Sequence, residues 1–226
     1  MPILFVVGLV LLLGFISFAT YRTGQLLETW QPEENLLLLP FENLARLVMI
    51  AAGFGLGWLS GLGPAALGWI PTDLVGDIGI GLVTGVAISL ALLPPTLWVQ
   101  RHRPQWQSDV VERAIRPRNR GQWPLVLLAL IPVALLEELL FRSLLLGGFA
   151  PYVNVLFFAV AASILFGLLH RPQGEWGVVA VTVVGLILSA LFLWRLSLWV
   201  VVIAHWTANA GQMIQAEMLN RRASGA

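Results

Sequence analysis

An all-α, polytopic transmembrane helix bundle of about seven spans is the fold class that the sequence predicts, and three observations predict it. Hydrophobic residues make up 58% of the 226 and charged residues 11%, with a mean hydropathy of +0.84. A soluble domain carries roughly 25% charge. Apolar runs of 18 to 25 residues recur along the whole chain, each long enough to cross a hydrocarbon core. Finally, six of the thirteen arginines, Arg101, Arg103, Arg113, Arg116, Arg118 and Arg120, sit in one stretch of twenty residues. Such clustering marks a cytoplasmic loop between spans.

Residues 3 to 20 form the first apolar run. Met1-Pro2 supplies no basic n-region, so the run reads as an uncleaved helix rather than a signal peptide. From Arg22 to Pro40 acidic residues mix with Trp30 and Leu36 to Leu39, a stretch expected to lie along the interface. A second span is expected from about Glu42 to Leu62 and a third from Leu74 to Leu93, stopped by Pro94-Pro95. Both carry glycines near a spacing of four, Gly53-Gly57-Gly61 and Gly81-Gly85, which lets neighbouring helices approach closely. Within the arginine-rich loop Trp106, Val110, Val111, Ala114 and Ile115 recur at helical spacing. A short amphipathic helix on the membrane surface is expected there, in contact with anionic lipid. Further spans follow at about 123 to 147, 153 to 170, 176 to 194 and 197 to 216. Seven crossings put the N-terminus outside and the C-terminus, with Arg221-Arg222, in the cytoplasm.

The expectation is therefore one membrane domain over residues 1–226, a multi-pass protein of a bacterial plasma membrane. There is no cysteine, which excludes thiol catalysis, disulfides and cysteine-based zinc sites, and there is no lysine, which excludes a Ser-Lys site. A net charge of +1 gives no sign of a nucleic-acid partner.

The chemistry is concentrated in Glu137-Glu138-Leu139-Leu140-Phe141-Arg142, three ionisable groups in an otherwise uncharged run from Trp123 to Gly147. A charge near the bilayer centre costs at least ~2.5 kcal/mol, so such groups are either paired or functional. Glu138 and Arg142, at i, i+4 with the acid first, have the spacing of an intrahelical ion pair, a structural role. Glu137 lies about 100° round the helix and has no such partner, which makes it the candidate general base. Pro132, five residues earlier, is expected to kink this helix. Two more polar constellations follow. His170 ends the apolar run after Phe166, and His205 and Asn209 stand at i, i+4 in the last span. Counted at ~1.5 Å per residue from the outer loops, Glu137, His205 and Asn209 lie about 15, 12 and 18 Å deep. His170 comes out near 28 Å unless its helix starts late, near residues 154 to 156, or is strongly tilted. Trp206, at mid-span, either lines a cavity or packs. His102, in the basic loop, is assigned no role.

Glu-Glu-x-x-x-Arg, then Phe-x-x-x-His, then His-x-x-x-Asn, in that order on successive membrane helices, resemble the CPBP family of intramembrane proteases, also called the Abi or CAAX-protease family. The resemblance covers roughly residues 121 to 218. It implies an intramembrane endopeptidase that cleaves a membrane-associated protein or peptide. In that reading Glu137 and His170 activate water, while His205 and Asn209 stabilise the oxyanion. No cofactor is favoured; zinc held by Glu137, His170 and His205 is the alternative, although His-Glu-x-x-His is absent. Other classes that these residues could serve are a proton- or ion-coupled transporter and a non-catalytic scaffold. Against the transporter, no internal repeat appears and the polar groups share one layer. The family spans prenylated-protein processing, bacteriocin maturation or immunity, and sorting-signal cleavage, and nothing in residues 1 to 120 chooses among them.

Overall fold

The computed structural model describes residues 2–224, with side chains described as far as Arg221. Arg222, one of the two arginines used to orient the C-terminus, therefore lies outside the described side chains. The described chain is helical throughout: α1 (Ile3–Thr29), α2 (Pro40–Leu59), α3 (Leu74–His102), the short α4 (Val110–Ile115), α5 (Gln122–Glu138) running on into a π-helical segment (Leu139–Gly147), α6 (Val155–Leu169), α7 (Gly174–Arg195) and α8 (Leu198–Ser224). Four stretches are long and apolar enough to cross a membrane, Ile3–Thr29, Leu74–His102, Gln122–Gly147 and Arg171–Arg195, and α6 is a shorter apolar helix. The perimeter is apolar as well: Ile3, Phe18, Phe41, Val75, Val83 and Phe157 are largely exposed. A bundle that is apolar on its outside as well as its inside is solvated by lipid, and helices satisfy their own backbone there. The protein is a helical membrane bundle.

Lipid gives little hydrophobic drive for helix association, so close packing through small residues decides which helices pair. α3 lies along α8: a Cβ on Gly81 would meet Ile203 and the Val200 carbonyl, and one on Gly85 would meet Thr207 and the Ala204 carbonyl. A turn further on, Gln215 donates to the hydroxyl and carbonyl of Ser89. α6 pairs with α7 in the same way, with Gly167 against Thr182 and the Val178 carbonyl, and Gly185 against Ser163. The π-helical segment runs through the middle of these pairs, and Leu139, Leu140, Leu144 and Leu146 are fully buried.

Two expectations about boundaries are corrected, and a third element is found where it was expected. Pro94-Pro95 do not stop α3, which continues to His102. Two consecutive prolines remove two N–H donors but leave φ helical, and the far end of the helix is held by its neighbours: Trp176 Nε1 donates to Thr96 Oγ1 at 3.0 Å and Gln107 Nε2 to the Thr96 carbonyl at 3.2 Å. The stretch after Arg22 is not an interfacial loop until residue 30. α1 carries on to Thr29, with Leu27 buried and Gly24 pressed against the Pro172 ring. The helix of the arginine-rich loop exists, but it is six residues long and docked on the bundle. Ala114 is buried, and the buried Asn35 side chain donates to the carbonyls of Ile115 and Arg116. Asn35 thereby ties the 30s loop to the arginine-rich end of the molecule.

Candidate active site

Glu137 and Glu138 end the α-helical part of α5, where the winding loosens to the π form. A π segment shifts the register of the side chains that follow it and is found disproportionately at functional sites. Here it buries Leu139 to Leu144 without a break. It is anchored at its far end by Ser143, whose hydroxyl donates to the Leu67 carbonyl at 2.7 Å and accepts from Trp69 Nε1 at 2.8 Å.

Glu138 is fully buried, and its Oε1 accepts two hydrogen bonds, from Arg142 Nη1 at 3.0 Å and from His205 Nδ1 at 2.7 Å. Arg142 is equally buried. Its other contacts are the Gly185 carbonyl, 3.1 Å from Nη2, and the Phe166 ring, whose centroid lies 4.5 Å from the guanidinium carbon. Gly185 and Phe166 thus supplement Glu138 around this buried cation, whose Nε has no hydrogen-bond partner among the described residues. Phe166 also packs edge-on against His170 and His205, at centroid distances of 4.7 and 6.0 Å. Its carbonyl accepts from His170 Nδ1 at 2.7 Å. The first residue of Phe-x-x-x-His is therefore a bearing surface for both imidazoles.

The two histidines share one arrangement. A carboxylate or carbonyl oxygen can only accept, so each Nδ1 carries the proton, and each Nε2 is left to face the centre of the site. Between them lies Glu137 Oε2, 3.6 Å from His205 Nε2 and 4.0 Å from His170 Nε2. Neither distance is a hydrogen bond, and this oxygen is buried with no hydrogen-bond partner among the described residues. The rest of the Glu137 side chain is not sealed: 27% of it is exposed, as is 19% of His170. His205 is nearly closed off. Asn209, a turn further along α8, is half-buried, and its carboxamide has no protein partner among the described residues.

The structure thus brings Glu137, Glu138, Arg142, His170 and His205 together, with Asn209 on the same helix as His205. The late start explains how His170 reaches this depth: α6 begins at Val155, capped by Asn154 Oδ1, and spans only about 22 Å before His170 caps its end. Trp206 points away. Its indole N–H donates to the Leu127 carbonyl at 2.8 Å, one turn before Pro132, so it packs α8 on α5. His102, the last residue of α3, is exposed and stacks on Trp98. For zinc, among the described residues no three His, Asp or Glu side chains converge closely enough to hold a metal ion.

Two charged groups near these helices escaped the sequence reading. Arg46, on α2, is largely buried, hydrogen-bonds Asn43 Oδ1 at 3.2 Å and feels the charge of Glu137. Asp77, near the start of α3, is fully buried and takes Arg195 Nε at 2.8 Å. Each was the kind of signal used for Glu137, an isolated charge inside an apolar span, and could have been found by the same test.

The fold and these side chains define a helical membrane protein with a glutamate–histidine centre inside the bundle. Residues 119–211 match the family model described as type II CAAX prenyl endopeptidase, Rce1-like, so this segment is similar to the CPBP, or CAAX-protease, family. No curated protein and no solved structure matches the chain.

Proposed function

We propose that the protein hydrolyses a peptide bond of a membrane-associated protein or peptide with a water activated by Glu137, without a metal. The observation that supports this most directly is the Glu137 carboxylate. Its Oε2 is buried and unpartnered, yet it lies between two imidazole Nε2 atoms on a side chain that is partly open. A water held by Glu137 and His170 would give its proton to the carboxylate as it attacks the scissile carbonyl. Glu137 would then return that proton to the departing amine, so the carboxylate ends the cycle as it began. His205 Nε2 can donate to the developing oxyanion only when the ring carries both protons. Glu138, bonded to Nδ1, is the counter-charge for that form, and the Asn209 carboxamide supplies a second, neutral donor. Arg142 keeps Glu138 ionised and aimed. In this reading the arginine-rich end faces the cytoplasm by the positive-inside rule, and substrate enters from that side to reach the partly exposed Glu137 and His170.

The histidine arrangement, with each Nδ1 anchored and each Nε2 facing inward, is also how metal-ligating histidines are held. Chelation therefore discriminates. Purified protein is expected to keep its cleavage activity through exhaustive chelation, and Glu137→Gln to lose a factor on the order of 10²–10⁴ in kcat while accumulating uncleaved substrate in the membrane. Loss of activity on chelation with rescue by zinc would overturn the metal-free mechanism and make Glu137, His170 and His205 ligands.

A further inference from the structure

α2 lies outside the segment matched by the family, and none of the motif residues is on it. Its inward stripe is nevertheless legible from burial: Ile50, Gly53 and Gly57 are buried, and Arg46, one turn before Ile50, continues the stripe. Gly53 faces the side chain of Leu139, and Gly57 faces that of Leu144. The register advances in the same direction on both helices, so α2 runs parallel to α5. Arg46 therefore lies on the arginine-rich side of Glu137. Seven residues separate Arg46 from Gly53 and two separate Glu137 from Leu139, and the Arg46 side chain leans back toward Glu42 and Asn43. Together these set the guanidinium on the order of 10 Å from the Glu137 level along the axis.

This cation is only partly committed. One N–H goes to Asn43 Oδ1, and Nη2 is 3.5 Å from the half-exposed Glu42 carboxylate. Guanidinium has five donors in a fork that suits a carboxylate, so most remain for a ligand. The side chain is 15% exposed, on the arginine-rich side of Glu137, which is itself 27% exposed. A buried arginine with spare donors at that place fits an anionic group of the substrate.

We propose that Arg46 binds the free C-terminal carboxylate of the substrate and so sets how far from the chain end the cut is made. The inference rests on the endopeptidase reading above. An endopeptidase acting inside a four-residue C-terminal box leaves at most three residues beyond the scissile bond. Three extended residues span about 10 Å, which matches the separation between Glu137 and Arg46. With the scissile carbonyl at Glu137 and Asn209, the released peptide runs along α2 toward the arginine-rich face, and its terminal carboxylate meets the guanidinium. A longer C-terminal extension would overshoot Arg46, and an amidated end would leave it without a charge partner.

The experiment compares two S-prenylated peptides ending Cys-Ala-Ala-Leu, one a free acid and one a C-terminal amide, with wild-type protein, Arg46→Gln, Arg46→Lys and Glu137→Gln in detergent. Wild type is expected to prefer the acid by about tenfold or more in kcat/KM. Arg46→Gln should remove that preference by raising KM for the acid far more than for the amide; Arg46→Lys should retain part of it. Melting temperatures of the variants separate this from misfolding, and the acid-to-amide ratio of the wild type needs no variant at all. Glu137-dependent cleavage of both peptides at equal rates, or an equal fall for both in Arg46→Gln, would overturn the role of Arg46 alone. Absence of any Glu137-dependent cleavage would overturn both this role and the proposed mechanism.

Discussion

Two arginine–carboxylate pairs among the described residues have a fully buried carboxylate, and the contrast between them shows two ways of compensating a charge inside an apolar bundle. At one end, Asp77 stands in the first turn of α3 and Arg195 in the last turn of α7. Each charge sits where its own helix dipole favours it, the acid at an N-terminus and the base at a C-terminus. Asp73, the N-cap of α3, adds a second carboxylate 3.7 Å from Arg195 Nη2, and Arg195 keeps one-fifth of its surface exposed. In the middle, Glu138 and Arg142 lie within one continuous helix, where neither charge has help from a terminus. Their hydrogen-bond and ring partners among the described residues are each other, His205, the Gly185 carbonyl and the Phe166 ring. The first arrangement joins two helix ends. The second holds an imidazole in place, and its stability depends on every partner being present.

That difference is broken most severely at the centre. Removing either partner of a fully buried pair leaves an uncompensated charge, at a cost of about 3–5 kcal/mol. Glu138→Gln or Arg142→Met should lower the melting temperature in detergent sharply, and the double change should recover part of the loss. Glu138→Gln should also lower kcat in the protein that does fold, because His205 loses its counter-charge. Stability and turnover that both survive Glu138→Gln would show that the His205 contact is dispensable.

Asp77→Asn or Arg195→Met should cost less, about 1.5–3 kcal/mol for a hydrogen bond to a charged group, and should leave kcat/KM of the folded fraction unchanged. A catalytic defect there would mean that the two clusters are coupled through α3 and α7, and the contrast drawn above would fail.

The smallest effect is expected at the arginine-rich face. Arg221 and Arg116 hydrogen-bond Glu217, at 2.7 Å to Oε1 and 2.5 Å to Oε2, and hold its carboxyl below the ordinary value of 4.5. A lowered carboxyl stabilises the fold above its unfolded pKa, and the contribution is lost as pH falls below about 4.5 through the lower folded value. Near the surface this amounts to at most ~1 kcal/mol. Glu217→Gln should flatten the acid limb of a melting curve against pH by no more than that amount; a steeper change would show that the contact is more buried than Asp77 and Arg195.

The sequence by itself determined the class and much of the site. Composition and apolar run length place the chain in a bilayer, since no soluble core accommodates so much apolar surface. The i, i+4 spacing puts Glu138 beside Arg142, since a helix brings those positions together whatever surrounds it. Motif order on successive spans pointed to the same family whose model residues 119–211 match, and the awkward depth of His170 pointed to a late start for α6, which the cap at Asn154 supplies. Helix ends were less legible, because termination depends on neighbours: α3 crosses two prolines while Thr96 and Ser89 are held by α7, α8 and the loop. What only the tertiary structure decided is which groups meet across helices. Spacing along one helix cannot say that Glu138 serves His205 as well as Arg142, that Phe166 bears on both histidines, or that Arg46 and Asp77 are drawn in from α2 and α3. The hydrogen bonds of Glu138 to His205 and of Asp77 to Arg195 join residues 67 and 118 positions apart, and they follow from how small residues let the helices approach, a property of pairs of helices rather than of any one of them.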